Sequence, residues 1–220
     1  MKRINNIFYS LQGEGRNTGR AAVFIRFAGC NLRCSFCDTE FNAYREMSDE
    51  EIVDAIKAIL PSPITLHPSP LIVLTGGEPT LQVDEAFVDL LHQHDYEVAM
   101  ESNGTRPAPA NLDWLTVSPK IFGEGCLVRS SSARLLPKGR KKGDERIPDE
   151  IKVVFDEDTP SKLSSLHLSP VTCHQFLYLQ PCDTGDAERN KKITQACVEY
   201  IKAHPQWRLS LQTHKLIDIE

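Results

Sequence analysis

The sequence has no long apolar run, no strong excess of charge and no secretory signal. Its 220 residues carry 25 Lys and Arg against 30 Asp and Glu, a net charge of -5 that is spread without long blocks. A membrane-spanning helix needs about 20 apolar residues, and nonspecific nucleic-acid binding needs a basic surface. We therefore expect neither a membrane span nor nonspecific binding of nucleic acid. The start, MKRINNIFYSLQGEG, lacks the apolar core of a signal peptide, which predicts a cytoplasmic protein.

Cysteine occurs seven times, an odd number that does not suit a framework of disulfides. Three of the seven, Cys30, Cys34 and Cys37, fall within eight positions in the segment CNLRCSFC. A structural zinc ion takes four ligands, whereas a 4Fe-4S cluster held by three thiolates keeps one iron open to a small molecule. The spacing is compatible with a zinc ion and with a 4Fe-4S cluster, because another cysteine or a histidine could complete a zinc site.

Strand-like and helix-like segments alternate along the chain, which predicts a largely parallel sheet in an α/β fold. About six strands are expected, namely AAVFIRFAG, LIVLTGGEP, YEVAMES, DWLTVSPK, EIKVVF and FLYLQP. Ser48 and Glu51 form a capping-box pattern at the start of one helix, and residues 187–203 have the pattern of another. We therefore expect a single domain over residues 1–220, with an irregular loop at about 123–150.

Polar residues gather where the predicted strands end. They comprise Cys30, residues 75–78, Glu101 and Ser102, residues 118–120, and Gln180 with Pro181. In parallel α/β sheets, open or barrel-shaped, ligands bind at the carboxyl ends of the strands. This placement predicts one active site along that edge.

The cysteine spacing, with the aromatic Phe36 just before the last cysteine, resembles the signature of the radical S-adenosylmethionine enzymes. In that superfamily the open iron binds S-adenosylmethionine, whose reductive cleavage yields a 5′-deoxyadenosyl radical that abstracts a substrate hydrogen. The segment Gly76-Gly77-Glu78, about forty residues downstream, resembles the superfamily's motif that contacts the methionine amino group. The resemblance implies that the cofactor carries the chemistry while the protein orients and shields it.

Short segments in a fixed order narrow the resemblance to the 7-carboxy-7-deazaguanine synthases. They run from residue 4 to the end and include LQGEG, FIR, CDT, TGGEP, TVSPK, LQP and RLSLQTHK. The resemblance implies conversion of 6-carboxy-5,6,7,8-tetrahydropterin to 7-carboxy-7-deazaguanine, with release of ammonia, for 7-deazapurines such as queuosine. It also implies Mg²⁺ as a cofactor, a homodimer, an electron donor such as flavodoxin or ferredoxin, and a modified, incomplete (β/α) barrel.

The same resemblance assigns the cofactor residues. Cys30, Cys34 and Cys37 would ligate the cluster, and Thr39 would offer its hydroxyl to Mg²⁺, which prefers hard oxygen ligands. Without the resemblance, Thr39 would be interpreted as a turn or helix-cap hydroxyl. The residues implied to contact S-adenosylmethionine are Phe36, Cys37, Asp38, Gly77, Glu78, Glu101, Ser118, Pro119, Lys120, Gln180, Pro181, Cys182 and Asp183.

The substrate residues implied by the resemblance come from both ends of the chain. They are Leu11, Gln12, Gly13, Glu14, Arg26, Thr75, Gln212, His214 and Glu220. The planar guanidinium of Arg26 suits a bidentate substrate carboxylate, and the alternative is a structural salt bridge to Glu14 or Glu101. Glu14 would accept the guanidine-like N–H groups of the pterin. No general acid or base is assigned.

Two other functions fit parts of the sequence. A small activase that installs a glycyl radical on a partner protein can carry the same cysteine spacing. Such an activase would not need Arg26, Thr39 and LQGEG together, and it would form no product from carboxytetrahydropterin. A non-enzymatic zinc-binding module would contain zinc in place of iron and would lack absorbance near ~400 nm.

Overall fold

The computed structural model describes residues 1–37, 39–40, 42–61, 69–120, 148–163 and 176–220. The strands are β1 (Lys2–Leu11), β2 (Ala21–Phe27), β3 (Arg45–Met47), β4 (Leu71–Gly76), β5 (Glu97–Ser102), β6 (Trp114–Val117), β7 (Glu150–Phe155), β8 (Phe176–Pro181) and β9 (Arg208–Leu209). The helices are α1 (Asp49–Ile59), α2 (Glu85–Gln93), α3 (Thr159–Leu163), α4 (Ala187–Ala203) and α5 (Thr213–Leu216). Residues 123–147 of the predicted irregular loop lie outside the described residues, and Glu150 belongs to β7.

The described strands form one nine-stranded sheet in the order β3-β1-β2-β4-β5-β6-β7-β8-β9. Strands β2 and β4 to β9 run parallel to one another, and β1 is antiparallel to its two neighbours, β2 and β3. The sheet is open, with β3 and β9 as its edges. This confirms the α/β class and the incomplete barrel.

All six predicted strands are present, as β2, β4, β5, β6, β7 and β8, and the described residues add β1, β3 and β9, of which β1 is the longest. The pairing of β1 with β2 shifts register between Ile4 and Asn6, as it does at a β-bulge. A bulge breaks the alternation of inward and outward side chains, and asparagine is rare in strands, so residues 2–11 do not show a strand pattern. The two-residue β9 adds the seventh parallel strand.

Helices cover one face of the sheet. On β2, Val23, Ile25 and Phe27 are fully buried and belong to a core shared with α1 and α2. A second core lies between β7, β8 and α4. The predicted cap of α1 is confirmed, since Glu51 N donates to Ser48 Oγ at 3.2 Å and Ser48 N donates to Glu51 Oε2 at 2.7 Å.

The opposite face of the sheet differs between its two halves. On β2, β4 and β5 it carries the apolar residues Phe24, Val73 and Ala99. On β7 the same face carries Glu150 and Lys152, which alternate with the core residues Ile151, Val153 and Phe155. Among the described residues, no helix is long and apolar enough to cross a membrane.

Candidate active site

A cavity of about 1230 Å³ lies along the carboxyl edge of the parallel strands. The predicted site residues that line it are Leu11, Gln12, Gly13, Glu14, Arg26, Cys30, Cys34, Phe36, Cys37, Thr39, Thr75, Gly77, Glu101, Ser118, Lys120, Gln180, Pro181, Cys182, Asp183, Gln212, His214 and Glu220. Asp38 lies outside the described residues. Parallel strands bring these distant segments together, because their carboxyl ends share one edge.

The three motif cysteines lie in the loop that follows β2, and all three side chains line the cavity. Cys30 accepts hydrogen bonds from the Leu32 backbone N–H at 3.4 Å and from Asn103 Nδ2 at 3.8 Å. Burial raises the pKa of the Cys30 thiol. Within the part of the chain that is described, no three His, Cys, Asp or Glu side chains are placed to share one metal ion. Thiols that bind different irons of one cluster need no such convergence.

Gly77 joins the end of β4 to the entry of the cysteine loop. Its backbone N–H donates to Phe27 O at 2.9 Å, and the N–H of Glu78 donates to Gly29 O at 2.9 Å. A Cβ atom on Gly77 would lie 2.0 Å from Gly29 O, so no other residue allows this approach. The glycine therefore serves the backbone that positions the cysteines, in addition to its predicted contact with S-adenosylmethionine.

Glu78 and Pro119 do not line the cavity, and both are buried. Glu78 is fully buried and accepts hydrogen bonds from Thr80 N at 3.1 Å, Thr80 Oγ1 at 2.6 Å, Ser102 Oγ at 2.8 Å and Asn103 N at 2.7 Å. Four donors satisfy its charge. The carboxylate thereby fixes the backbone of Asn103, the residue whose amide reaches Cys30. Contact of Glu78 and Pro119 with the cofactor stays a prediction.

Arg26 sits beside a pair of stacked aromatic rings. The rings of Phe8 and Phe24 are 5.0 Å apart at 9°, and the Arg26 guanidinium lies 4.7 Å from the centre of the Phe8 ring. The carboxylates suggested as structural partners of Arg26, those of Glu14 and Glu101, pair with Lys152 instead. Arg26 thus presents a cation to the cavity without a carboxylate partner among the described residues.

Glu14 and Lys152 form a buried ion pair in the floor of the cavity. The other Glu14 oxygen, Oε1, accepts from Gln180 Nε2 at 3.1 Å and from Gln212 Nε2 at 3.0 Å. Burial would raise the pKa of Glu14, but the Lys152 ammonium and the hydrogen bonds from Lys152 and Gln212 outweigh it and hold the pKa below its ordinary value. Glu14 is therefore an ionised acceptor at neutral pH.

The C-terminal segment packs against the N-terminal strand at the cavity mouth. Asn6 Nδ2 donates to Glu220 Oε1 at 2.7 Å, and Ser10 Oγ donates to the Glu220 backbone oxygen at 2.5 Å. A Cβ on Gly13 would lie 2.1 Å from His214 Nδ1, so any other residue there would displace the His214 ring. These contacts gather the predicted substrate residues from both ends of the chain on one side of the cavity.

Sequence reasoning missed several cavity residues, of which Phe8, Phe24 and Lys152 are the most informative. Phe8 lies on β1, which the sequence does not predict, and Phe24 has the pattern of an ordinary buried strand residue. Lys152 had a usable signal, because EIKVVF places charged residues at alternate positions of an otherwise apolar strand. Two charges on one face of a buried strand indicate a polar cavity on that side.

The residues present fit the implied cofactors. Three thiols in one loop of the cavity lining, one of them supported by two N–H donors, are a suitable ligand set for a 4Fe-4S cluster. Phe36 offers a ring near Lys120, whose Nζ lies 5.7 Å from its centre, and Thr39 brings a half-buried hydroxyl to the same cavity. The cavity exceeds the roughly 300–1,000 Å³ of ordinary ligand sites, which leaves room for both a cofactor and a substrate.

Known proteins with similar sequences span the whole chain. Residues 24–129 match the model of the Radical SAM superfamily. The 7-carboxy-7-deazaguanine synthase of Bacteroides thetaiotaomicron is 44% identical over 100% of this chain and 99% of its own length. That of Bordetella pertussis is 40% identical over 98% of both chains.

A solved structure supports the same relationship. The crystal structure of QueE from Escherichia coli matches with a TM-score of 0.71 and 27% identity, over 96% of this chain and 93% of that one. The fold match, the family model and the full-length sequence similarity agree. The chain belongs to the 7-carboxy-7-deazaguanine synthases, a family of radical S-adenosylmethionine enzymes.

Proposed function

We propose that the protein is a carbon–nitrogen lyase that converts 6-carboxy-5,6,7,8-tetrahydropterin to 7-carboxy-7-deazaguanine and ammonia. The observation that carries the proposal is that one cavity holds both the three-cysteine loop and a pair of opposite charges suited to this substrate. Arg26 matches the carboxylate of the substrate, and Glu14 matches the N–H groups of its aminopyrimidinone ring. The names of the relatives agree with this assignment.

The chain's own residues would bind and orient the substrate. When bound, the cluster and S-adenosylmethionine supply the radical that removes a substrate hydrogen. Arg26 fixes the carboxylate by two parallel hydrogen bonds, and the Phe8–Phe24 pair beside it excludes water from one wall. Glu14 holds the opposite, nitrogen-rich edge of the ring. Anchoring both ends of a flat substrate defines which carbon faces the cofactor.

Mg²⁺ is part of the same proposal. Thr39 would contribute a hydroxyl ligand, and substrate oxygens and water would complete the shell, as this hard cation prefers. We further propose a cytoplasmic homodimer that receives electrons from flavodoxin or ferredoxin and supplies 7-deazapurine synthesis, including that of queuosine.

The direct test uses anaerobically reconstituted, reduced protein with S-adenosylmethionine, Mg²⁺ and 6-carboxytetrahydropterin, followed by mass spectrometry. We expect both 5′-deoxyadenosine and 7-carboxy-7-deazaguanine. Deoxyadenosine without the deazapurine would refute the proposed substrate and leave a radical enzyme that acts on another molecule. Omission of Mg²⁺ from the same assay, with chelator added, should reduce product formation.

Arg26→Met tests the carboxylate anchor. Loss of a charge-assisted bidentate contact should raise the KM for the pterin by about 10- to 100-fold, while Arg26→Lys recovers only part of the loss. Arg208→Met is the control, since Arg208 is an exposed arginine on β9 that does not line the cavity. An unchanged KM in Arg26→Met would show that the carboxylate binds elsewhere.

A further inference from the structure

Lys152 is a buried lysine that the proposed chemistry does not yet use. It lies on β7 with only 5% of its surface exposed, and it lines the cavity. Its Nζ bonds Glu14 Oε2 and lies 3.5 Å from Glu101 Oε2. The ammonium therefore joins a residue predicted to bind substrate to one predicted to bind S-adenosylmethionine.

The hydrogen bonds of Glu14 leave room for a ligand. An ionised carboxylate offers about four acceptor positions. Three are taken, one by Lys152 and two by the amides of Gln180 and Gln212. Gln180 is itself fixed, because its Oε1 accepts from Ser210 Oγ at 2.9 Å. One acceptor position of a tightly held carboxylate remains for an incoming N–H donor.

The ionisation of Glu14 depends on its surroundings. The charged and titratable groups that face it are Lys152 and Glu150 on β7, Glu101 at the end of β5, Lys120 after β6, and His214 on α5. Lys152 is the only one of these described groups that forms an ion pair with it. Lys120 is a weaker source of charge, since burial and the nearby Lys152 lower its pKa. Without Lys152, burial would favour the neutral form of Glu14.

We propose that Lys152 is a positioning residue that keeps Glu14 ionised and oriented, so that Glu14 can accept an N–H of the substrate's aminopyrimidinone edge. The inference rests on the proposed function for the identity of the substrate. A neutral Glu14 carries a proton in place of one acceptor position and loses the charge that strengthens its hydrogen bond. Lys152 thus acts on substrate affinity through Glu14, without touching the substrate.

The test measures binding of 6-carboxypterin, a fluorescent pterin with the same ring edge, by titration without S-adenosylmethionine at several pH values from about 5.5 to 8. For Lys152→Met, we expect a dissociation constant about 10- to 100-fold above that of the wild type at the acidic end. The ratio of the two constants should fall as the pH rises, because Glu14 regains its charge. Groups whose titration does not depend on Lys152 cancel in this ratio, whereas Glu150, whose pKa Lys152 lowers, does not.

Two further variants separate positioning from folding. Lys152→Arg keeps the charge and should restore most of the affinity. Lys2→Met is the matched control, because Lys2 is also buried and paired, with Asp49 Oδ1 at 2.5 Å, yet lies away from the cavity. It should lose stability without losing affinity for the pterin. A loss in Lys152→Met that is independent of pH and is not restored by arginine would overturn the inference.

A double mutant keeps the question answerable if Lys152→Met does not fold. Glu14→Gln has no charge to maintain, so it should lose affinity equally at every pH. Adding Lys152→Met to Glu14→Gln removes both members of the buried Glu14–Lys152 pair, so loss of the lysine no longer leaves a charged Glu14 without its partner, although Glu101 loses its longer contact with Lys152. Affinity in the double mutant should equal that of Glu14→Gln alone, since Lys152 acts through Glu14. A further loss in the double mutant would refute that route.

The binding experiment tests the role of Lys152, and the turnover experiment tests the proposed reaction, so either proposal can be refuted without the other. Wild-type protein that forms carboxydeazaguanine, with a binding ratio that stays near one at all pH values, would retain the function and refute the role of Lys152. Protein that shows the expected ratio but forms no deazapurine would retain the role of Lys152 and refute the reaction. Wild-type protein that fails to bind 6-carboxypterin would overturn the assignment of Glu14, and with it that of Lys152.

Discussion

The two halves of the sheet expose different chemistry on the face away from the helices. In the N-terminal half, this face of β2, β4 and β5 is apolar, and the predicted site residues Arg26, Thr75 and Glu101 lie at the strand ends and line the cavity. In the C-terminal half, polar groups extend down the strands, with Glu150 and Lys152 on β7. Polar cavity residues thus lie at the strand ends (the rim) in the N-terminal half and also along the strands in the C-terminal half. We expect substitutions on the rim to affect chemistry alone, and substitutions inside to affect stability as well.

The largest expected effect comes from a cysteine exchange in each half. Cys34→Ala removes a rim thiol of the N-terminal half and should abolish both cluster absorbance near ~400 nm and cleavage of S-adenosylmethionine, with little change in the stability of the apoprotein. Cys197→Ala removes a fully buried thiol from the core under β7 and β8. It should keep iron and activity but lose about 1 kcal/mol in urea unfolding. Retained cluster absorbance in Cys34→Ala would contradict the ligand assignment.

The next largest effect is on the pH dependence of stability, and it comes from Glu150 in the C-terminal half. Burial raises the pKa of Glu150 to about 7, although the Arg16 backbone N–H donates to its carboxylate at 2.9 Å. Between about pH 4.5 and 7 the unfolded chain is ionised at this position while the folded protein holds the proton. The free energy of unfolding should therefore fall as the pH rises through this window, by up to about 3 kcal/mol from this group.

Glu150→Gln tests that sign. Glutamine stays neutral and keeps an acceptor for Arg16, so the variant should gain stability relative to the wild type as the pH rises from 5 to 8. Denaturant unfolding at both pH values gives the difference directly. Glu199→Gln is the control, because Glu199 is exposed and bonds only Lys202 among the described residues. Parallel stability curves for Glu150→Gln and the wild type would refute the perturbed carboxyl.

The smallest expected effect is the loss of stability when a helix cap is replaced by alanine, and it should be equal in the two halves. Ser48 caps α1 in the N-terminal half, and Asp186 caps α4 in the C-terminal half, where its Oδ1 accepts from Glu188 N at 3.0 Å and Arg189 N at 3.1 Å. Each alanine substitution should cost about 1 kcal/mol in urea unfolding, since caps act within one helix turn. A marked difference between them would show that the halves unfold separately.

The same contrast explains what the sequence could predict. Helix α4 and the cap at Ser48 follow from local patterns, and the rim residues follow from strand ends and motif order. Strand β1 could not be predicted from its sequence, because a bulge near Asn5 disrupts the alternation of inward and outward side chains. The role of Lys152 could not be predicted either, since its partners Glu14 and Glu101 are 138 and 51 residues away in the chain. Pairings at that range depend on the topology of the sheet, which local patterns do not encode.

The bonds of Glu14 also bear on how the protein is made. They reach partners 138, 166 and 198 residues further along the chain. During synthesis from the N-terminus, the cysteine loop leaves the ribosome early. Glu14 cannot form its hydrogen bonds until β7, β8 and Gln212 have been synthesised. Contacts of such high sequence separation form late because loop closure opposes them. A truncated chain could therefore present all three thiols and still lack the floor of the cavity.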